Sequence, residues 1–358
     1  MEFSDVDITR VYLTLGLACN LNCRYCIQSN ERRGLSKRPS DRVIAYLQHL
    51  ADIRPRWGRT LPTSISVTLF GGEPLLYFDA AREVVERVNR ENIIWLMETN
   101  GLLLTDPVVD FCNEHGIKVV VSNDGPESEK TRGVNVFEKD AFLRCFNRLE
   151  KRGIECVLTS YSQDLYRSWD YWRERVGEVP VTAAFLIPNQ DYPKDLTTFD
   201  LPAWQETCRR LSDEAVVGLC KHKETPALRM MRPYMDSYFE HVQGRALYPR
   251  CEAYGYLINL DLEGNTYLCH SGMGRFGSLG ISTTKLAREA RIRFLDLHRE
   301  NRRQCLDCRW MVFCKALCPF ARPGAQATRI CEFMSIFYEA VAQTMKRVET
   351  EFSTPVEL

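Results

Sequence analysis

The first half of the chain alternates between two patterns of hydrophobic and polar positions. Short runs rich in β-branched residues predict strands, and longer segments with apolar residues every three to four positions predict helices, several opened by Asp or Ser as a cap. The expected strands are 11–17, 64–70, 93–98, 117–122, 154–159 and 181–187. The expected helices are 41–51, 79–89, 106–115, 139–151 and 165–175. Six such strands that alternate with helices predict an α/β fold with parallel strands, an open and partial (β/α)6 barrel.

The pattern changes after residue 190. Segments with helical periodicity dominate, and one short stretch predicts a hairpin in which Gly264 supplies the turn. The expected helices are 202–221, 225–243, 284–301 and 331–351, and the hairpin spans 256–269. We therefore expect a partial barrel at 1–190, a helical bridging segment at 191–250 and a small cysteine-rich domain at 251–358.

Composition removes several classes of function. Lys plus Arg and Asp plus Glu number 47 each, so no overall charge favours nucleic acid or a membrane surface. The first residues lack the features of a signal peptide, and no apolar run is long enough to span a bilayer, so we expect a cytoplasmic protein. Fifteen cysteines in 358 residues are too many for an ordinary core, and in a reducing compartment free thiolates favour zinc or iron-sulfur clusters.

Three of these cysteines lie close together directly after the first predicted strand. Cys19, Cys23 and Cys26 form a CxxxCxxC loop. Three thiolates leave one iron of a 4Fe-4S cluster without a protein ligand, open to a substrate or cofactor. The alternative is a structural zinc site, but three cysteines without a nearby histidine make a poor closed tetrahedron.

At these residues the sequence resembles the radical S-adenosylmethionine (SAM) superfamily, whose hallmark is CxxxCxxC with an aromatic residue before the last cysteine, here Tyr25. The resemblance implies a TIM-like partial barrel and a cofactor role for Tyr25. It also implies that SAM chelates the open iron, and that an electron from the cluster splits SAM into methionine and a 5'-deoxyadenosyl radical.

A glycine-rich segment follows the second predicted strand. Paired glycines allow a backbone to approach a ligand closely, and a carboxylate can accept from an ammonium group. By resemblance this is the motif that holds the amino group of SAM, which makes its four residues candidates for cofactor binding: Gly71, Gly72, Glu73 and Pro74. Without that context the segment would be an ordinary connection between a strand and a helix.

Polar residues also follow the third and fourth predicted strands, at the end where barrel enzymes place active groups. The segments TNG, with Asn100, and S-x-DGP, with Ser122 and Asp124, resemble those of the peptide-modifying branch of the superfamily. Asn100 and Ser122 are candidates for cofactor binding, Ser122 for the ribose or carboxylate. Asp124 is a candidate substrate contact or base, although Asp-Gly-Pro is also a common turn in which the carboxylate caps the backbone, and this interpretation is favoured.

Seven cysteines crowd the last third of the chain and resemble the SPASM extension, an auxiliary-cluster domain of radical SAM enzymes. The resemblance implies one 4Fe-4S cluster on four thiolates, Cys305, Cys308, Cys314 and Cys331. It implies a second cluster on three, Cys251, Cys269 and Cys318, with the fourth ligand open because Leu257 stands where some relatives have a cysteine. His270 is a minor candidate for that ligand. Two structural zinc sites are the alternative, but they would require eight ligands. Three 4Fe-4S clusters and SAM are thus the expected cofactors.

The remaining five cysteines have no ligand spacing and are interpreted as small buried apolar residues, any one of which could donate a hydrogen atom to a radical. They are Cys112, Cys145, Cys156, Cys208 and Cys220.

Auxiliary clusters suit a reaction in which a substrate radical loses an electron. The resemblance therefore predicts a radical SAM peptide maturase that abstracts a hydrogen atom from a ribosomally made precursor peptide and forms a C–C or thioether cross-link. Alternatives are oxidation of a protein side chain, dehydrogenation of a small molecule and, outside catalysis, a non-catalytic iron-sulfur electron-transfer protein. Because the first strand begins near residue 11, we expect a leader to bind elsewhere, either to the helical segment 191–250 or to a separate protein. A flavodoxin or ferredoxin is the expected reductant.

Overall fold

The computed structural model describes residues 8–28, 38–53, 63–187, 192–242, 257–270, 275–279, 292, 296, 305, 308–314 and 325–353. All six predicted strands are present within about two residues of their expected bounds. They are β1 Arg10–Gly16, β2 Ile65–Gly71, β3 Ile93–Thr99, β4 Lys118–Ser122, β5 Arg152–Leu158 and β6 Val181–Phe185. The pairs β1–β2, β2–β3 and β3–β4 are parallel, as expected. The predicted α/β fold with a partial barrel is confirmed.

Helices follow most of these strands. They are α1 Asp41–Ile53, α2 Phe78–Val88, α3 Asp106–Glu114, α4 Ser128–Arg132, α5 Asp140–Arg148 and α6 Leu165–Val176. Later helices are α7 Leu201–Cys220, α8 Pro226–Val242, α9 Met311–Cys314 and α10 Ala325–Ser353. The Asp200 carboxylate caps α7 by accepting from the amide of Ala203 at 3.1 Å, which satisfies an otherwise free donor of the first turn. The helix expected at 284–301 lies almost entirely outside the described residues.

The predicted hairpin is also present, with β7 Leu257–Asp261 antiparallel to β8 Asn265–Tyr267. Gly264 sits in the turn at a φ of 86°, a conformation that strains other residues. A further strand, β9 Arg275–Ser278, pairs with β8. The sequence did not predict that β7 would pair in parallel with β1, from Arg10 opposite Leu257 to Thr14 opposite Asp261.

The chain divides into two compact units. The first comprises residues 1–123, 132–154 and 251–296, and the second 124–131, 155–250 and 297–358. These units do not follow the boundaries expected at residues 190 and 250, because β7 to β9 extend the sheet of the first unit. The strand order there is β4-β3-β2-β1-β7-β8-β9. Val11, Leu13 and Leu15 of β1 are fully buried in its core.

The second unit is mainly helical. Its core packs α7 and α8 against α10, with Trp204 and Phe337 fully buried. The Trp204 ring stacks on Phe333 at 4.2 Å between centroids, and its indole N–H donates to the carbonyl of Phe333 at 2.8 Å. The buried indole nitrogen is thereby satisfied while its ring contributes apolar area.

Candidate active site

The cluster loop, residues 17–28, leaves the carboxyl end of β1. Its three cysteines, Cys19, Cys23 and Cys26, are all half-buried. The amide of Cys26 donates to the carbonyl of Cys23 at 3.0 Å, and the amide of Leu21 contacts Cys19 Sγ at 3.4 Å. The loop thus carries partly accessible sulfur atoms on a backbone that is itself hydrogen-bonded.

The glycine-rich segment supports this loop from the end of β2. The amide of Gly72 donates to the carbonyl of Gly16 at 2.8 Å, and that of Glu73 to the carbonyl of Ala18 at 2.9 Å. A Cβ atom added to Gly72 would lie 2.3 Å from the Ala18 oxygen, a distance that would force one backbone to move. The glycines are therefore needed for contact between two loops of the protein, whatever further ligand they approach.

Glu73 is fully buried, and its carboxylate already accepts three hydrogen bonds from the protein. Oε1 accepts from the hydroxyl of Thr99 at 2.6 Å and the amide of Leu75 at 2.9 Å, and Oε2 from the amide of Asn100 at 2.8 Å. Desolvation raises the pKa of Glu73, and these donors together with the charge of Arg132 oppose that shift. The side chain thus ties the ends of β2 and β3 together, and its expected contact with an ammonium group stays a prediction. Pro74 is buried at the start of the 3-10 turn that Glu73 caps.

Asn100 reaches from the end of β3 back to the cluster loop. Its amide nitrogen donates to the side-chain oxygen of Asn20 at 2.7 Å and lies 3.9 Å from Cys19 Sγ, while its oxygen accepts from the amide of Leu102 at 3.0 Å. The residue predicted to bind cofactor therefore contacts the loop that carries the first cysteine.

Tyr25 has a partner that sequence reasoning missed. Arg132, at the end of α4, donates from Nη1 to the Tyr25 hydroxyl at 2.5 Å, and its guanidinium carbon lies 5.8 Å from the centre of the tyrosine ring. Both side chains are buried, with exposed fractions of 9% for Arg132 and 8% for Tyr25. Arg132 lies eight residues after Asp124 in the chain. Its position close behind the S-x-DGP segment is the sequence signal that could have suggested a role near the site.

The two candidate residues at the end of β4, Ser122 and Asp124, differ in how deeply they are buried. Ser122, the last residue of β4, is half-buried. Asp124 is fully buried, with Oδ1 accepting from the amide of Val157 at 3.0 Å and Oδ2 from the hydroxyl of Thr131 at 2.5 Å. Both carboxylate oxygens therefore have protein partners, but neither bond caps the backbone of the Asp-Gly-Pro turn itself, as the turn interpretation had expected. The roles of Asp124 as substrate contact or base, and of Ser122 in cofactor binding, stay predictions.

Four of the later cysteines lie within electrostatic range of one another. The pKa of Cys314 is raised to about 12, mainly by desolvation and also by the nearby thiols of Cys331, Cys305 and Cys308, while a hydrogen bond with Tyr338 opposes the shift. Desolvation likewise raises the pKa of Cys331 to about 11, with contributions from Cys305 and Cys308. Cys314 is the last residue of α9, and Cys331 lies in α10. We call these four residues the C-terminal thiol group.

The aromatic side chains around the C-terminal thiol group form a packed support. Phe313, with an exposed fraction of 5%, stacks on Tyr238 at 5.8 Å and on Tyr338 at 6.0 Å between ring centres. Trp310 lies 6.1 Å from Phe313 and carries Arg309 over its ring at 4.3 Å. The position of Cys314 is thus set by packing between α8, α9 and α10.

The other candidate auxiliary ligands are only partly described. Cys251 and Cys318 lie outside the described residues. Cys269 is half-buried after β8, and the ring of His270 stacks on Tyr12 at 5.0 Å and meets Phe70 edge-on at 4.9 Å. The stacked position of His270 gives it a packing role next to Cys269.

The interpretation of the five remaining cysteines holds at four positions. Cys112, Cys145, Cys156 and Cys208 are buried, and desolvation raises the pKa of Cys112 to about 12. Cys220 is exposed at the end of α7, so its interpretation as a buried residue was wrong. The last turn of α7 turns this position away from the core, a detail that periodicity at a helix end does not fix.

The side chains that could donate to a metal indicate which kind of metal centre suits this chain. Across the described ranges, no three His, Cys, Asp or Glu side chains are placed to hold a single metal ion. The cluster loop and the C-terminal thiol group offer sulfur donors, which favour iron-sulfur clusters over hard cations. Residues 13–162 match the model of the radical SAM superfamily. The chain carries a radical SAM domain.

Relatives of this radical SAM protein match well beyond that domain. The radical SAM cyclopropyl synthase TigE of Paramaledivibacter caminithermalis is 20% identical over 87% of this chain and 68% of its own length. The serine-type anaerobic sulfatase-maturating enzyme of Klebsiella aerogenes is 21% identical over 88% of this chain and 81% of its own length.

Two solved structures share the fold. Native anSMEcpe with bound AdoMet and Cp18Cys peptide has a TM-score of 0.68 at 18% identity and covers 96% of this chain and 99% of its own. Streptococcus suis SuiB bound to precursor peptide SuiA has a TM-score of 0.60 at 15% identity, covering 91% of this chain and 76% of its own. The fold of the radical SAM protein therefore extends through its C-terminal region. Within the described part of the chain, no helix has the length and apolar character needed to cross a bilayer.

Proposed function

We propose that this radical SAM protein is a peptide maturase that removes a hydrogen atom from a peptide and oxidatively cross-links two of its side chains. The observation that carries the proposal is the presence of two separate sets of thiols, the three of the cluster loop and the four of the C-terminal thiol group. One set suits cofactor cleavage, and the other suits electron transfer during a net oxidation. The relatives that act on peptides or proteins, and the fold shared with two peptide-bound structures, support a peptide as substrate.

The cluster loop would hold a 4Fe-4S cluster through Cys19, Cys23 and Cys26. When bound, the cluster and SAM supply a carbon radical that abstracts a hydrogen atom. The protein contributes position: Gly72 and Glu73 hold the backbone of the loop, and Asn100 holds its first turn through Asn20. Ser122 would contact the cofactor at the carboxyl end of β4.

The C-terminal thiol group would hold a second cluster through Cys305, Cys308, Cys314 and Cys331. A third, on Cys251, Cys269 and Cys318, rests on the resemblance to the SPASM pattern. A cross-link removes two hydrogen atoms from the peptide, the first as an atom and the second as a proton and an electron. A cluster near the surface can accept that electron. A reductant such as flavodoxin or ferredoxin, and a separate leader-binding protein, complete the proposal.

The test uses the full chain purified without oxygen and reconstituted with iron and sulfide. SAM, a reductant and the peptides encoded beside the gene are added, and both 5'-deoxyadenosine and peptide mass are followed. We expect 5'-deoxyadenosine to form and one peptide to lose the mass of two hydrogen atoms. About twelve irons per chain are expected for three clusters of four.

Other outcomes separate the alternatives. Absence of 5'-deoxyadenosine from a fully reconstituted sample contradicts the maturase and favours an electron-transfer protein. A second outcome is that SAM is cleaved but no neighbouring peptide changes in mass. If a sulfatase-like protein or a small alcohol is oxidised instead, that class of molecule is the substrate. The variant Cys220→Ala should form both products at the wild-type level, because this exposed thiol belongs to neither set.

A further inference from the structure

The second unit contains a cavity that none of the candidate cluster ligands lines. It has a volume of about 520 Å³, within the range of ordinary ligand sites, and lies between α6, the start of β6 and the turn that joins α7 to α8. Its aromatic and apolar lining consists of Tyr166, Trp169, Trp172, Val179, Val181 and Pro226. The proposed chemistry of the thiol sets leaves this cavity without a role.

Trp169 brings an unsatisfied donor to the lining of this cavity. Its indole nitrogen is buried and has no hydrogen-bond partner within the part of the chain that the structure describes. The Trp169 ring packs edge-on against Tyr166, at 5.1 Å between ring centres. A buried N–H group without an acceptor is costly, and most such groups in proteins are paired. An acceptor that enters the cavity, with a small turn of the ring, would relieve this cost.

Glu214, on α7, brings an acceptor to the same lining. Its side chain is half-buried, and Oε2 accepts from the Tyr166 hydroxyl at 3.1 Å. Desolvation and the charge of Glu214 raise the pKa of Tyr166, so the hydroxyl keeps the proton that it donates. A carboxylate has about four acceptor positions, so Glu214 has capacity for further N–H donors. Tyr166 thus links a carboxylate that can accept to an indole that can donate.

The other charged side chains of the lining balance one another. Three are acidic and three are basic: Asp170, Arg173, Glu178, Lys223, Glu224 and Arg229. Two ion pairs form among them, Arg173 with Asp170 at 2.5 Å and Arg229 with Glu224 at 3.7 Å. Apart from Glu214 the lining therefore has no net charge, which disfavours a phosphate or another strongly anionic ligand. A peptide backbone is neutral and offers one acceptor and one donor in each residue.

We propose that this cavity binds a segment of the substrate peptide that lies outside its reacting side chains. A backbone carbonyl of the peptide accepts from the indole of Trp169, a backbone N–H donates to Glu214, and an apolar side chain packs on the aromatic lining. The peptide as substrate rests on the proposed function. Contacts remote from the reacting bond contribute affinity equally before and during the chemical step, so they lower KM and leave kcat unchanged.

The experiment measures the binding of overlapping short segments of the peptides encoded beside the gene. Each segment carries a fluorescein label, and fluorescence anisotropy gives its Kd for the reconstituted full chain without SAM or reductant. We expect one segment to bind. Trp169→Phe keeps an aromatic ring without the N–H, and Glu214→Gln keeps an oxygen for the Tyr166 hydroxyl. Each variant should weaken the binding of that segment by about tenfold, the effect of one lost hydrogen bond.

Glu206→Gln is the matched control for Glu214→Gln. Glu206 also lies on α7 but does not line this cavity, so the variant should bind the segment with the wild-type Kd. Hydrogen exchange locates the bound segment: amides of α6 and of the turn between α7 and α8 should exchange more slowly when it is added. With the full-length peptide, Trp169→Phe and Glu214→Gln should raise KM by about tenfold at unchanged kcat.

Several results would overturn the inference. They are the absence of binding by every segment, an unchanged Kd in Glu214→Gln, and protection from exchange only at other elements. If Trp169→Phe lowers the melting temperature of the chain, Glu214→Gln decides alone. Binding that weakens in both variants supports the inference even if no peptide is oxidised, in which case only the proposed function fails. Peptide oxidation with a wild-type KM in Glu214→Gln would leave the maturase in place and remove this binding site.

Discussion

The cluster loop and the C-terminal thiol group are each held in place by different structural means. The loop places three cysteines within eight residues and is held mainly by backbone hydrogen bonds, such as Gly72 to Gly16 and Glu73 to Ala18. The C-terminal thiol group joins residues as far apart as Cys305 and Cys331, and it is held by stacked aromatic rings around Phe313. Backbone contacts fix the first set, whereas side-chain packing fixes the second.

The difference has a consequence for what each set can do. A short loop with three thiolates leaves a ligand position open by construction, which suits a cofactor that must bind and leave. In the proposed second site four thiolates would close around a cluster, which suits storage and transfer of electrons. The two sets should therefore respond differently to mutation, and the following variants test that expectation.

The largest difference is expected between Cys26→Ala and Cys331→Ala. Loss of a thiolate from the cluster loop removes one of three ligands, so Cys26→Ala should abolish 5'-deoxyadenosine formation. Cys331→Ala should leave cofactor cleavage measurable but eliminate the oxidised peptide. Chromatography of 5'-deoxyadenosine and mass spectrometry of the peptide measure the two products. Equal loss of both products in the two variants would mean that the sets are not separate in function.

Phe313→Ala tests the packing of the C-terminal thiol group. Truncation of this buried ring should lower the free energy of unfolding by about 3 kcal/mol or more, through lost apolar burial and the remaining cavity. Urea unfolding of the iron-free chain measures it. Phe239→Ala is the matched control because that ring is 46% exposed, and its effect should stay within about 0.5 kcal/mol. Similar values for the two variants would show that the aromatic stack does not support the second unit.

Gly72→Ala tests the backbone support of the cluster loop. The added Cβ would meet the Ala18 oxygen at 2.3 Å, so we expect a cost of about 2 kcal/mol and a lower iron content after reconstitution. Gly133→Ala provides the control, since its φ of 80° is strained for alanine but no atom lies within 4 Å of the new Cβ. That variant should cost about 1 kcal/mol and leave iron loading unchanged. A normal iron content in Gly72→Ala would contradict the close contact between Gly72 and the Ala18 carbonyl.

Glu73→Gln should have the smallest effect, about 1 kcal/mol, and a defined pH dependence. Because burial raises the pKa of Glu73 above its ordinary value of 4.5, the folded chain binds this proton more tightly than the unfolded chain. Stability from this group is therefore present below pH 4.5 and is lost as pH rises through the raised pKa. In urea unfolding, the advantage of wild type over Glu73→Gln should shrink as pH is raised above 4.5, with the unfolding equilibrium constant changing by at most about tenfold per pH unit. An advantage that grows with pH would contradict the direction of the shift.

Much of the fold and part of the site could be predicted from local patterns. The six strands follow from runs of apolar residues that need burial on both faces. The CxxxCxxC spacing of Cys19, Cys23 and Cys26 is a local pattern, because all three cysteines lie in one loop. The pairing of β7 with β1 could not be predicted, because strand partners distant in sequence are chosen by the edge left open in the sheet. The same holds for Arg132, whose contact with Tyr25 spans 107 positions.

The sequence by itself determined the class of chemistry, since thiolates at ligand spacing favour iron-sulfur clusters wherever the chain places them. It also marked Gly71 and Gly72 after β2 as positions where the backbone can approach a neighbour closely. Only the tertiary structure decided which polar groups are already occupied. The sequence predicted an ammonium contact for Glu73 and a local turn cap for Asp124, but burial gives both carboxylates other protein donors, because an unpaired carboxylate in a core is too costly to remain.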